Sequence, residues 1–172
     1  PVRDLHTGEL THYVGVALDI TDRRQAEEAL RVSESAIREL YDITSRRAAP
    51  FDQQIRELLD LGRRRFQLPI AAFTTIKGEQ LELTAIRSDR PMPAEGSLLP
   101  LCNICSRTLN TNSSVALEYV KNSDWGEDCP LLDCETYLGT GLSVGGQRFG
   151  TICFMDHAPY PGQFSEADKD FL

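Results

Sequence analysis

The sequence predicts an α/β fold of the α+β type. It has a central antiparallel sheet of about five to six strands with amphipathic helices on one face, preceded by a β-hairpin and a long helix. Three observations predict it. Two pairs of β-rich runs are each closed by a tight glycine turn, at Lys77-Gly78-Glu79 and at Gly145-Gly146, which makes neighbouring strands antiparallel. Helix-period segments stand at both ends of the strand region, so helices cover a face of the sheet. A helix-forming stretch without glycine or proline runs from Arg23 to Arg47, as a long connecting helix requires.

The elements follow in order. Val2 to Leu5 and the β-rich run Thr11 to Ile20 predict a hairpin turning at His6-Thr7-Gly8-Glu9, where glycine accepts a positive φ. A lone hairpin is marginal in water. Thr21 or Asp22 caps the following helix. Along it Ala26, Leu30, Ser33, Ile37, Leu40 and Thr44 alternate at spacings of four and three. That narrow stripe predicts a parallel two-helix seam, hence a homodimer through residues 23–47 and the C-terminal helix. Pro50 breaks the helix. A second helix over 52–66 has Ile55, Leu58, Leu59 and Phe66 on one face, and Arg63, Arg64 and Arg65 in its last turn, where cations suit the helix dipole.

Strands are predicted at Ala71–Ile76, Gln80–Ile86, Ser114–Leu117, Thr136–Val144 and Gln147–Met155. Residues 87–100, with three prolines, read as a loop. A short helix is expected over 102–110, irregular chain over 119–133, and a capping box at Ser165-Glu166-Ala167-Asp168 that opens a final helix.

Composition bounds the function. Of 172 residues, 41% are hydrophobic and the net charge is −8. Such a chain folds around a core and repels phosphate backbones, so no nucleic-acid partner is expected. No apolar run reaches the length of a membrane span, so no membrane partner is expected either. Five cysteines are an odd set, which points to a reducing cytoplasm rather than a disulfide framework. Pro1 at the start and a final helix ending at Leu172 read as an excerpt from a longer protein.

Two stretches carry resemblances. Gly8-Glu9-Leu10-Thr11-His12-Tyr13-Val14-Gly15-Val16-Ala17-Leu18-Asp19-Ile20-Thr21-Asp22 resembles the last hairpin and exit of a PAS domain, with residues 1–22 as its C-terminal fragment. Glu39-Leu40-Tyr41-Asp42-Ile43-Thr44, Tyr137-Leu138-Gly139-Thr140, Phe149-Gly150-Thr151-Ile152-Cys153-Phe154 and Phe164-Ser165-Glu166-Ala167-Asp168 resemble GAF domains of bacterial sensor histidine kinases and related regulators. The resemblance implies three parts: a PAS tail, a signalling helix over 23–48, and a GAF domain over 49–172. It also implies signal sensing through a small-molecule pocket, in a two-component or related protein. Any effector, such as a histidine kinase, lies beyond Leu172, and the chain itself is not expected to be an enzyme.

The candidate site has two parts. Phe73, Thr75, Tyr137, Thr140 and Phe154 are expected to line the pocket, although alternating aromatics on strands equally describe a core. Cys102 and Cys105 form a C-x-x-C pair, and Cys129 and Cys134 a C-x-x-x-x-C pair, with 23 residues between. Four thiolates in two close pairs suit zinc or an iron–sulfur cluster. A C-x-x-C also suits reversible dithiol chemistry, and simple packing stays open beside both. Related GAF domains often place a cysteine at the position of Cys105. Cys153, within Ile152-Cys153-Phe154-Met155, reads as a packed thiol.

The residues argue against other family ligands. No cysteine directly precedes a histidine, as bilin attachment resembles, and no cyclic-nucleotide signature is present. His157 sits in a loop unsuited to a haem. No phosphate-binding loop or nucleophile–histidine arrangement appears.

Overall fold

The computed structural model describes residues 20–46, 48–125 and 133–172, together with the backbone of Val2–Arg3 and Leu10–His12. It divides into two compact units, residues 1–35 and 36–172. In the first unit β1 (Val2–Arg3) pairs antiparallel with β2 (Leu10–His12), with Val2 opposite His12. The predicted turn at residues 6–9 lies outside the described residues.

Helix α1 spans Thr21–Ser45. Its N-terminal half carries the pairs Arg23–Glu27 and Arg31–Glu28, exposed and spaced at i,i+4 and i,i+3, where solvent screens them. From Ala36 onward the helix belongs to the second unit, where Ala36 and Ile43 bury against Leu61, with Leu40 and Leu58 packed around them.

Helix α2 (Phe51–Phe66) starts after Pro50 and ends in a left-handed Gln67. Its apolar stripe faces the sheet. At Gly62 the sheet approaches so closely that a Cβ would lie 2.1 Å from the Phe154 ring. Only glycine lets the helix backbone rest there.

The second unit is built on a six-stranded sheet in the order β5-β4-β3-β8-β7-β6. The strands are β3 (Ile70–Lys77), β4 (Gln80–Ser88), β5 (Leu98–Pro100), β6 (Val115–Leu117), β7 (Thr136–Val144) and β8 (Gln147–Asp156). All pairings are antiparallel. Helix α3 (Asn103–Asn110) lies across the face opposite α2, and α4 (Glu166–Phe171) closes the described chain. The predicted fold class is therefore present, with α3 as a short addition on the second face.

Strand β5 falls where the sequence reads as a loop. It is an edge strand of three residues pairing Leu99 with Leu81. Its terminal Pro100 is tolerated there because an edge strand does not need every N–H. The capping box at Ser165 is complete, with Ser165 and Asp168 exchanging side-chain and backbone hydrogen bonds. Asp168 also receives Arg65 of α2 at 2.9 Å, with both side chains mostly buried. Among the described residues no helix is long and apolar enough to cross a membrane.

Candidate functional site

Strand alternation divides the interior into two layers. On the α2 side Leu59, Phe66, Ala71, Phe73, Ala85, Leu138 and Phe154 form one cluster. Phe66 and Phe154 meet edge to face, ring centroids 4.9 Å apart, a geometry aromatic pairs favour. Phe73 and Phe154 of the expected pocket lining are therefore together, in a packed layer under the helices. Thr75 and Thr140 are half-buried. The Thr75 hydroxyl exchanges a hydrogen bond with Thr84 at 2.8 Å, and Thr140 stands opposite Ile152. Tyr137 is on the other face, so the five residues do not form one wall.

That other face is the more informative. Tyr137 is fully buried there, and its hydroxyl donates to Thr108 Oγ1 of α3 at 3.1 Å. A Cβ on Gly139 would sit 2.4 Å from the Tyr137 hydroxyl, so the ring lies across the bare backbone of Gly139. Two residues on, a Cβ on Gly141 would meet the Thr108 carbonyl at 2.8 Å. Helix α3 is thus seated directly on β7, with Thr108 as its polar anchor. Thr108 was not legible as such a partner, since a threonine inside a short helix carries no signal of what it faces.

The cysteines gather on this face. Cys102, Cys105, Cys134 and Cys153 are all buried in the cluster that contains Tyr137, Ile104, Leu81 and Met155. Cys102 is the N-cap residue of α3 and Cys105 lies in its first turn. Their sulfurs are 3.4 Å apart, Cys102 donating to Cys105. Cys134 stands two residues before the start of β7. Burial, and secondly the neighbouring Cys102, push its thiol up to about 11. Cys153 lies mid-strand, between Ala72 of β3 and Gly139 of β7. Burial first, then Cys134 and Cys102, push it up to about 12. Both therefore stay protonated at neutral pH.

Cys129, the fourth member of the expected metal set, lies outside the described residues. The structure brings Cys102, Cys105 and Cys134 into one cluster. Among the described residues no group of three or more His, Cys, Asp or Glu is arranged to hold a metal ion. Cys153 joins the same cluster although its sequence reads as plain packing. The alternation with Phe154 shows that it faces away from Phe154, but not that α3 and three further cysteines gather on that face.

An open cleft of about 550 Å³ lies at the C-terminal end of α2, lined by Asp60, Arg63, Asp89, Arg90 and Asp156 among others. Arg63 is already engaged there by Asp60 and Asp89, so its charges are internally matched. None of the expected pocket residues lines it.

No protein-family model matches the sequence, and no curated protein is similar to it. Solved structures are similar in fold. The GAF domain of a phosphoenolpyruvate-protein phosphotransferase from Coxiella burnetii superposes with a TM-score of 0.65 at 13% identity, over 81% of this chain and 86% of that one. The chromophore-binding domain of a bacteriophytochrome from R. palustris gives 0.60 at 16% identity, over 86% of this chain and 57% of that one. Free methionine-R-sulfoxide reductase from Neisseria meningitidis gives 0.56 at 12% identity, over 94% and 89%. Together with the strand order β5-β4-β3-β8-β7-β6 and the helices packed on it, these similarities identify the fold of the second unit as that of a GAF domain.

Proposed function

We propose that the chain is a signal-sensing and dimerisation module of a two-component or related signal-transduction protein. In this reading the GAF-fold unit receives the signal and the flanking helices α1 and α4 carry it. The paired strands β1 and β2 belong to the tail of a preceding PAS domain.

One observation carries the proposal. Helix α1 has two apolar stripes and uses only one of them. Ala36 and Ile43 are buried, whereas Leu30, Ile37 and Tyr41 are 61%, 55% and 70% exposed. The exposed three recur at spacings of seven and four, a single face of the helix. A second copy of the same helix, laid parallel, covers that face with the same residues. The GAF fold supports a sensing role by analogy alone. The same fold occurs in the chromophore-binding domain of a bacteriophytochrome and in an enzyme, free methionine-R-sulfoxide reductase.

Light scattering on the purified chain tests this. The expected result is twice the chain mass at micromolar concentration. Ile37→Glu is expected to return it to the chain mass with an unchanged circular dichroism spectrum, because a buried unpaired charge is not tolerated in a seam. A wild-type monomer, or a dimer indifferent to Ile37→Glu, contradicts the proposal.

The second reading takes the cysteines as the receptor, by metal, iron–sulfur or thiol redox chemistry. It is favoured by the convergence of Cys102, Cys105 and Cys134 on one buried face.

A further inference from the structure

Cys102 and Cys105 meet at the start of an eight-residue helix, their sulfurs already at 3.4 Å. A disulfide needs about 2.05 Å, so closing the pair takes a modest approach of two side chains on the same turn. Cys102 has extended backbone, φ −71° and ψ 168°, and its side chain makes no capping hydrogen bond. The N–H groups and dipole of the first turn favour negative charge on sulfur at this end of a helix. The two residues are 7% and 9% exposed and stand at the N-terminal end of α3. Cys134 and Cys153 are held as protonated thiols by burial, and a thiol reacts far more slowly than a thiolate.

We propose that Cys102 and Cys105 form a reversible disulfide that is the redox input of this module. The proposal rests on the sensing role above and names its signal as a hydroperoxide. One of the two sulfurs, as thiolate, attacks the terminal peroxide oxygen. The O–O bond breaks, the alcohol or water leaves with the thiol's proton, and a sulfenic acid forms on that sulfur. The second sulfur gives up its proton and attacks the sulfenic sulfur. The S–O bond breaks and water leaves. Two thiols lose two electrons and two protons, and the hydroperoxide is reduced to an alcohol, or to water, plus water. A dithiol reductant reverses the change by thiol–disulfide exchange.

The consequence follows from where the pair sits. Drawing Cys102 toward Cys105 tightens the first turn of α3. The same helix holds the Tyr137 hydroxyl through Thr108 and rests against Gly141, so a shift of α3 reaches β7 directly. The helix also places the Arg107 guanidinium 4.8 Å from the centre of the Trp125 ring. Trp125 is the only tryptophan in the chain, which makes its fluorescence a reporter of α3.

The test treats the reduced full chain with hydrogen peroxide, then blocks the remaining thiols with an alkylating reagent and maps peptides by mass spectrometry. Trp125 fluorescence and light scattering are followed on the same samples. The expected result is a Cys102–Cys105 disulfide with a fluorescence change, both reversed by dithiothreitol. Both are abolished in Cys102→Ser and in Cys105→Ser and kept in Cys134→Ser. A disulfide mapping to Cys129 or Cys134, no disulfide at all, or stoichiometric zinc or iron bound through Cys102 and Cys105 in the purified protein overturns the proposal. Light scattering reports the α1 pairing independently. A dimer without the disulfide therefore removes the redox input alone, and a monomer that forms the disulfide removes the dimeric module alone.

Discussion

Gly150→Ala is expected to lower the folding stability of this chain by about 3 kcal/mol or more. Gly150 stands opposite Thr75 where β8 pairs with β3, the central contact of the sheet. A Cβ there would lie 1.8 Å from the Thr74 carbonyl oxygen and 3.0 Å from the Thr75 Cα. These are backbone atoms of a paired strand and cannot turn aside as a side chain can. The two strands would have to separate locally. That breaks ladder hydrogen bonds and the buried Thr74–Thr151 hydroxyl pair at 2.8 Å. Since small domains are stable by only about 5–15 kcal/mol, the loss is a large fraction of the whole. Urea denaturation measures it. Gly162→Ala is the matched control, because a Cβ there meets nothing within 4 Å, and its effect is expected within about 0.5 kcal/mol. Equal midpoints for the two variants would contradict the close strand approach.

Stability is expected to fall steeply above pH 8.5, through the buried thiols. In the unfolded chain a cysteine ionises near pH 8.5, give or take about half a unit. In the folded chain burial pushes Cys134 up to about 11 and Cys153 up to about 12. Below pH 8.5 both states hold these protons and the thiols add no pH dependence. Above it the unfolded chain releases protons that the folded chain keeps, so unfolding is favoured. The loss continues until the pH passes the folded values. At about 1.4 kcal/mol per unit for each thiol, Cys153 and Cys134 together contribute a loss on the order of 8 kcal/mol by pH 12. Tyr137, raised by burial as well, steepens the top of the curve. Denaturation midpoints between pH 8 and pH 11 give the slope, and Cys153→Ala is expected to make it shallower. A flat profile, or a slope unchanged by Cys153→Ala, would show that Cys153 is not sealed in the core.

Much of the fold was legible from local chemistry. The turns at Gly78 and at Gly145-Gly146 have the positive φ that only glycine takes readily, and each sits between strands of nearly the predicted extent. The Ser165 capping box is a local pattern, and it formed as read. Strand β5 was not legible, because three residues ending in proline carry no periodicity. Its strand character comes from pairing with β4. The site was less legible for a related reason. Alternation separates Tyr137 from Leu138 and Cys153 from Phe154, yet it cannot say which face a distant helix covers. The lining set Phe73, Thr75, Tyr137, Thr140 and Phe154 therefore mixes residues of both faces. The C-x-x-C spacing does place Cys102 and Cys105 together, because one helical turn suffices. Their meeting with Cys134 and Cys153 depends on the docking of α3 over β7, which Gly139 and Gly141 permit and no local pattern announces.

The state of the thiol-bearing face is expected to reach helix α1. Two layers separate them: the sheet, where Cys153 adjoins Phe154, and α2, where Gly62 and Phe66 receive Phe154 while Leu58 and Leu61 meet α1. Hydrogen-exchange mass spectrometry on the reduced and the peroxide-oxidised chain tests this most directly. Oxidation is expected to change amide protection in α1 between Ala36 and Ile43 as well as in α3. A change confined to α3 and its immediate neighbours, with α1 identical in both states, would contradict it.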